Sequence, residues 1–162
     1  MIRDKNAFTL IEAVIVIGIL SVLLAILAPT LVGTFKESDI DSAVTTIISD
    51  IRIAQANSTS GKDEAQWGVC FQNSTDDRYF ILSPPDDCPV SGDPTPSSII
   101  KTEVFLKEGM AFTSPASGAS TLISFSRIRG EITANTTITI TLRGLTRTIN
   151  IDKSGLIYCS DC

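Results

Sequence analysis

Glu12 is a carboxylate inside an otherwise apolar run, Phe8 to Ala28. A lone acid in such a segment is read as functional by default. Val14 to Leu27 holds eleven Leu, Ile and Val residues. At roughly −0.3 to −0.6 kcal/mol each they favour insertion by about −3 to −7 kcal/mol, against up to about +3 kcal/mol for one acid at a helix centre. Glu12 lies only four residues from Phe8, so its cost is smaller still. The run is long enough to cross a bilayer as a helix, and it inserts with Glu12 in it. What remains is to find the partner of that carboxylate.

The other reactive side chains point away from catalysis. The chain has no histidine, which removes the commonest general base, the Ser-His and Cys-His nucleophile systems and His-containing zinc sites. No cofactor and no metal site is expected. Paired acids such as Asp76-Asp77 and Asp86-Asp87 lack the spaced ligand pattern of a calcium loop and read as solvated turn residues. Four cysteines, Cys70, Cys88, Cys159 and Cys162, follow the apolar run. Outside the cytoplasm an even count reads as two disulfides, with three pairings open. Proximity favours Cys70–Cys88 and Cys159–Cys162, although the second closes a tight loop that geometry resists. No helix can follow Cys159-Ser-Asp-Cys162 at the chain end, so the helix N-terminus that activates a redox thiol is missing.

The polar head Met1 to Ala7 carries Arg3 and Lys5. A cleavable secretory signal would need small residues after the apolar run. Ile26 and Pro29 occupy those places. A plain signal anchor with its basic head inside is a second reading. Asn6-Ala7-Phe8-Thr9-Leu10-Ile11-Glu12 supplies a third. It resembles the processing site of type IV pilins and of the pseudopilins of type II secretion systems. The resemblance covers Phe8 to Pro29 densely, with one departure: the residue before the cut is Ala7 where the family usually has glycine. It implies that prepilin peptidase cuts between Ala7 and Phe8 on the cytoplasmic side, that the Phe8 amine is N-methylated, and that Thr9 and Glu12 belong to the assembly motif. Pro29 falls at the family's helix bend. Glu12 would then pair with the Phe8 amine of a neighbouring subunit in a filament core. A buried pair of this kind sets register more than it adds stability, since breaking it strands a charge. Removing residues 1–7 changes the side-chain charge from −5 to −6.

Those residues must be positioned by a helix and a small sheet. Ile40, Val44, Ile47, Ile51 and Ala54 recur at spacings of four, three, four and three, one apolar stripe on a helix. The helix is expected to bend at Pro29, weaken at Gly33 and end near Asn57 to Gly61. Beyond Gly61 the signals are β: a hairpin of Trp67–Phe71 with Tyr79–Ser83, then Ile99–Leu106, Leu122–Phe125, Thr136–Arg143, Thr146–Asp152 and Leu156–Tyr158. Pro84 through Pro96 reads as a loop. The fold class is therefore α+β: a long N-terminal helix, its first half transmembrane or protruding, packed on a small antiparallel β-sheet domain. The expected parts are a cleaved leader 1–7, a membrane and filament-core helix 8–28, an amphipathic continuation 29–58, and an extracytoplasmic β-rich domain 59–162.

The tail carries a looser resemblance. A strand opened by Trp67-Gly68, Phe125 to Gly130, then a hairpin and a closing Asp152-x-x-Gly155 strand resemble the FimT/GspH group of minor pilins and pseudopilins. This implies a non-enzymatic minor subunit at the bacterial inner membrane. Its implied partners are prepilin peptidase, other pilin or pseudopilin subunits, the inner-membrane assembly platform and the membrane itself. It also implies a competing role, DNA uptake in natural transformation. Glu37 to Val90 is net −7, whereas Arg127 to Lys153 is net +3. Arg143 and Arg147 flank Gly144 there, and are the residues placed to touch phosphates. No aromatic residues interleave them for stacking, and arginines on a solvated hairpin also discourage edge pairing.

Overall fold

The computed structural model describes residues 9–89 and 99–162, with backbone alone over 27–36. The leader, the Ala7–Phe8 bond and the later part of the proline-rich loop lie outside the described residues. In chain order there follow α1 (Leu10–Thr59), a 3-10 turn (Lys62–Glu64), β1 (Trp67–Gln72), β2 (Arg78–Leu82), β3 (Ile100–Phe105), β4 (Met110–Ser114), β5 (Ser120–Phe125), β6 (Thr136–Leu142), β7 (Leu145–Ile151) and β8 (Ile157–Cys159). The chain divides into two compact units, Met1–Ser38 and Asp39–Cys162. Pro29 and Gly33 fall within α1.

In the second unit the helix packs on β structure through the stripe visible in the sequence. Ile40, Val44, Ile47, Ile51 and Ala54 are all buried. Ser58 extends that face, and its hydroxyl donates to the Phe125 carbonyl at 2.7 Å. Gly61, at φ 68, then turns the chain off the helix, a backbone value that costs glycine little.

The β part resolves into two four-stranded antiparallel sheets, ordered β3-β2-β1-β5 and β4-β6-β7-β8. The helix stripe shares one core with Val69, Phe71, Ile123 and Phe125 of the first sheet and Phe112, Ile138, Ile140, Ile149 and Ile151 of the second. β6 shows how the sequence achieves this. Its Ile138, Ile140 and Leu142 are buried while the intervening threonines are not, the two-residue alternation of a sheet with one wet face. β4 was not marked in the sequence, although Met110 and Phe112 point inward and Ala111 and Thr113 outward. Five residues between Gly109 and Pro115 give that alternation too little length to stand out.

β1 breaks the alternation, because every one of its residues is buried. Val69 and Phe71 face the main core, while Cys70 joins Phe80 and Leu82 in a second cluster packed against Cys88, Ile99 and Leu122. The Cys70–Cys88 disulfide, with Cα atoms 5.5 Å apart, holds the following loop over this outer face. Gly68 is needed there for space: a Cβ would come within 2.5 Å of the Ile123 carbonyl and 2.7 Å of the Pro85 ring.

The two sheets are tied by polar groups that the sequence presents as an ordinary turn. Asn73 is buried and its amide donates to the carbonyls of Phe112 and Pro115, each at 2.7 Å. Asp77 accepts from the Phe112 N–H at 2.8 Å and from the Ser74 N–H at 2.9 Å. Asp77 is thus a structural acceptor spanning β2 and β4, not the solvated turn acid expected from its neighbourhood. A buried amide satisfied twice, like Asn73, stabilises; deprived of its partners it would cost the full desolvation penalty.

Candidate assembly site

The start of α1 has the geometry of a capped helix. The Thr9 hydroxyl accepts the Glu12 N–H at 3.4 Å, and the Thr9 carbonyl accepts from Glu12 and Ala13 at 3.1 and 3.2 Å. Thr9 is therefore the N-cap and Glu12 the third residue of the helix, the spacing of a capping box. Glu12 is also the acid of the first turn, where the helix dipole favours negative charge. This capping role is legible in Thr9-x-x-Glu12 and was missed, because the apolar run drew attention to Glu12 as a membrane charge.

Past the cap, every residue from Leu10 to Ile26 is exposed except Ala13, which is half-buried. Leu10 is 83% exposed, and eleven further Ile, Val and Leu side chains up to Ile26 are each more than two-fifths exposed. A helix apolar all round is of the kind found among other apolar groups. Gly18 opens a notch between Ile15, Ile19, Val22 and Leu23 with a volume of about 410 Å³. Among the described residues, no helix is long and apolar enough to cross a membrane. The stretch from Leu10 to Ile26 is seventeen residues, and the sequence continues it through Leu27 and Ala28.

Residues 2–28 match the family model described as the prokaryotic N-terminal methylation motif. The N-terminal segment thus carries a methylation motif, and the match ends at Ala28. That match covers the N-terminal segment alone, which the chain joins to the α+β unit described above. A crystal structure of the type IV minor pilin FimU from Pseudomonas aeruginosa is similar, with a TM-score of 0.48 and 15% sequence identity over 74% of this chain and 91% of that one. No curated protein matches the chain in sequence.

The remaining candidate residues lie in the second unit. Arg147 does not project free from its hairpin. Its Nε donates to Asp41 of α1 at 2.8 Å, and its side chain is only 17% exposed. Arg143 is exposed, at φ 48 beside Gly144 at φ 90. With Leu142 opposite Leu145, these two form a tight hairpin tip of the kind that needs positive φ at both central residues. Arg129 lies 3.8 Å from Glu131. The hairpin arginines are thus divided between a helix contact and a solvated tip. Sequence spacing could not reveal this, because Asp41 is 106 residues from Arg147.

Cys159 and Cys162 are joined, with Cα atoms 5.7 Å apart, and no cysteine is free. Among the described residues no group of His, Cys, Asp or Glu is arranged to hold a metal ion.

The tail glycines have steric reasons. The Gln55 amide donates to the Gly130 carbonyl at 3.0 Å and to the Gly155 carbonyl at 2.9 Å. A Cβ on Gly155 would meet the Gly130 carbonyl and the Gln55 amide, and one on Gly130 would meet Thr59 at 2.9 Å. Both glycines also have positive φ, 67 and 83. Gln55 was not singled out in the sequence, since a half-buried glutamine on a helix carries no pattern of its own.

Proposed function

We propose that this chain is a subunit of a type IV filament system, a minor pilin or a type II secretion pseudopilin present in few copies. In this reading prepilin peptidase cuts between Ala7 and Phe8, and the new Phe8 amine is methylated. The segment 8–28 first holds the chain in the inner membrane, with the β-rich unit outside the cytoplasm, and then enters a filament core. The assembly platform of the inner membrane and neighbouring subunits are its partners. The observation that carries this reading is the apolar stretch from Leu10 to Ile26, exposed around its whole circumference and opening on the Thr9–Glu12 cap. Such a surface needs lipid or other apolar helices around it.

Glu12 would accept the Phe8 ammonium of an adjoining subunit. In the low dielectric of a helix bundle an unpaired carboxylate is strongly unfavourable, so the pair selects one axial register. Pro29 would set the path of the helix between core and surface. The DNA-uptake alternative draws no support from Arg147, which is held by Asp41.

The test is mass spectrometry of the mature N-terminus in cells carrying the assembly machinery, for the natural chain and for Glu12→Ala. Both chains are expected to begin at a methylated Phe8, with only the natural one recovered in the filament fraction. An intact Met1 would overturn the assignment, and normal incorporation of Glu12→Ala would remove the pairing role.

A further inference from the structure

The two disulfides of the globular unit sit in opposite settings. Cys70 is fully buried, and the Cys70–Cys88 bridge packs with Phe80 and Leu82 on the outer face of the first sheet. Cys159 is half-buried, whereas Ser160, Asp161 and Cys162 are exposed. The bridges also close very different loops, with sequence separations of 18 and 3. A longer loop removes more freedom from the unfolded chain, so the first bridge supports the whole fold more than the second does.

The short ring has a local job. β8 is an edge strand with three paired residues, Ile157 with Ile151, Tyr158 with Asn150 and Cys159 with Ile149. Ile157 is buried, and Cys159 packs against the main core. One residue further on, inside the ring, the Ser160 N–H donates to the Thr148 carbonyl at 3.1 Å. The Ser160 hydroxyl accepts from the Asn150 amide, also at 3.1 Å. These bonds carry β8 one residue further along β7. Closing the ring restricts the Ser160 backbone and so lowers the entropic cost of holding them. With the ring open, the exposed stretch 160–162 has no buried side chain to keep it there, and the neighbouring edge of β7 is uncovered.

Access sets the chemistry. In thiol–disulfide exchange a thiolate must reach one sulfur of the bridge, and exposed bridges are the labile ones. Exposed Cys162 is the reachable end, and Cys159, packed on the core, is the leaving side. The ring follows a strand and lacks the helix N-terminus of a redox catalyst, so it receives electrons rather than passing them on.

We infer that Cys159–Cys162 is a site of thiol–disulfide exchange with a dithiol reductant, and that its opening loosens the end of β8 without unfolding the unit. One thiolate of the reductant bonds to Cys162 Sγ as the bridge breaks and Cys159 leaves as a thiolate. The second thiolate of the reductant then displaces Cys162 and closes the reductant's own disulfide. Two electrons pass to the chain, and the two protons of the dithiol end on Cys159 and Cys162. The oxidised form of the same reductant reverses the sequence. Only residues 39–162 are involved, so the inference stands whether or not the filament reading holds.

The test uses the purified full chain in detergent, with dithiothreitol as the dithiol. Free thiols are alkylated after a quench and located by mass spectrometry. Cys159 and Cys162 are expected to be labelled at about tenfold lower dithiothreitol than Cys70 and Cys88. Equal sensitivity, or earlier opening of Cys70–Cys88, would overturn the inference. Reduced glutathione, a monothiol, reads the direction of attack. It should be found on Cys162 with the alkyl label on Cys159, and the opposite placement would reject Cys162 as the attacked end. Amide hydrogen exchange reads the consequence. Opening the ring should cut protection of the Ser160 N–H several-fold and leave Trp67–Gln72 of β1 unchanged. Unchanged protection at Ser160 would mean that the ring does not hold β8. Lost protection in β1 would mean that it holds the whole unit, and either result defeats local opening. The double variant Cys159→Ser, Cys162→Ser should reproduce the open-ring exchange pattern and melt close to the natural chain. A large fall in its melting temperature would count against local opening in the same way.

Discussion

From Leu10 to Ile26, α1 is exposed at every position but Ala13, while from Ile40 to Ser58 one side of it is sealed against two sheets. Both stretches are rich in isoleucine and valine. What differs is order. In the first, apolar residues fill nearly every position, broken only by Glu12, Gly18 and Ser21, so no face is set apart for the protein's own core. In the second they recur every three or four residues, with Asp39, Asp41 and Arg52 between them, and one face matches one partner surface. The same helix therefore has two solvents. The second stretch buries its stripe inside the chain, and the first, in the proposed reading, is covered by lipid or by neighbouring helices.

The largest expected effect separates these halves directly. Ile51 is fully buried, and Ile51→Ala should lower the unfolding free energy of the full chain in detergent by about 2–5 kcal/mol. Ile19 is 57% exposed, and Ile19→Ala should shift the same transition by less than about 0.5 kcal/mol. Comparable losses at both sites, read by chemical denaturation, would erase the distinction. A smaller effect tests whether polar contacts also belong to the docked half. Gln55→Leu leaves the Gly130 and Gly155 carbonyls without their shared donor, and should cost about 1–3 kcal/mol in that assay. A neutral result would mean that the stripe alone holds the helix.

The smallest effect depends on pH. Tyr79 donates to Asp50 of the docked half at 2.5 Å. Burial pushes its phenol well above the usual range, and the hydrogen bond and charge of Asp50 add to this. The folded state thus holds the proton more tightly than the unfolded chain, whose tyrosines titrate near about 10. The resulting stabilisation is complete below that pH and is lost as pH rises through it. Tyr79→Phe should therefore cost about 1 kcal/mol at neutral pH and show a shallower alkaline decline than the natural chain. Identical slopes in alkaline melting curves would show that the Tyr79–Asp50 contact does not couple to folding.

Much of the docked half was legible because its information is local. The stripe from Ile40 to Ala54, the threonine and isoleucine alternation of β6 and the turn at Gly144 can each be read within a dozen residues. What escaped is carried by pairs far apart in the chain. The β1–β5 ladder sets Trp67 against Phe125, Asp77 reaches Phe112, and Arg147 reaches Asp41. Their physical basis is close approach in space, for which spacing along the sequence gives no sign. At the N-terminus the reverse holds. The motif around Glu12 is dense in sequence, and the described helix adds the Thr9 cap to it.

The double hook of Gln55 has one further consequence. It fixes the base of the β6–β7 hairpin, through Gly130 before it and Gly155 after it, while nothing lies within 4 Å of a Cβ placed on Gly144 at the tip. A hairpin clamped at its root and open at its point tolerates added length at that point. The Arg143–Gly144 turn is thus the natural place to graft a tag or a short foreign epitope, because the strands report any disturbance there to a base that is already locked.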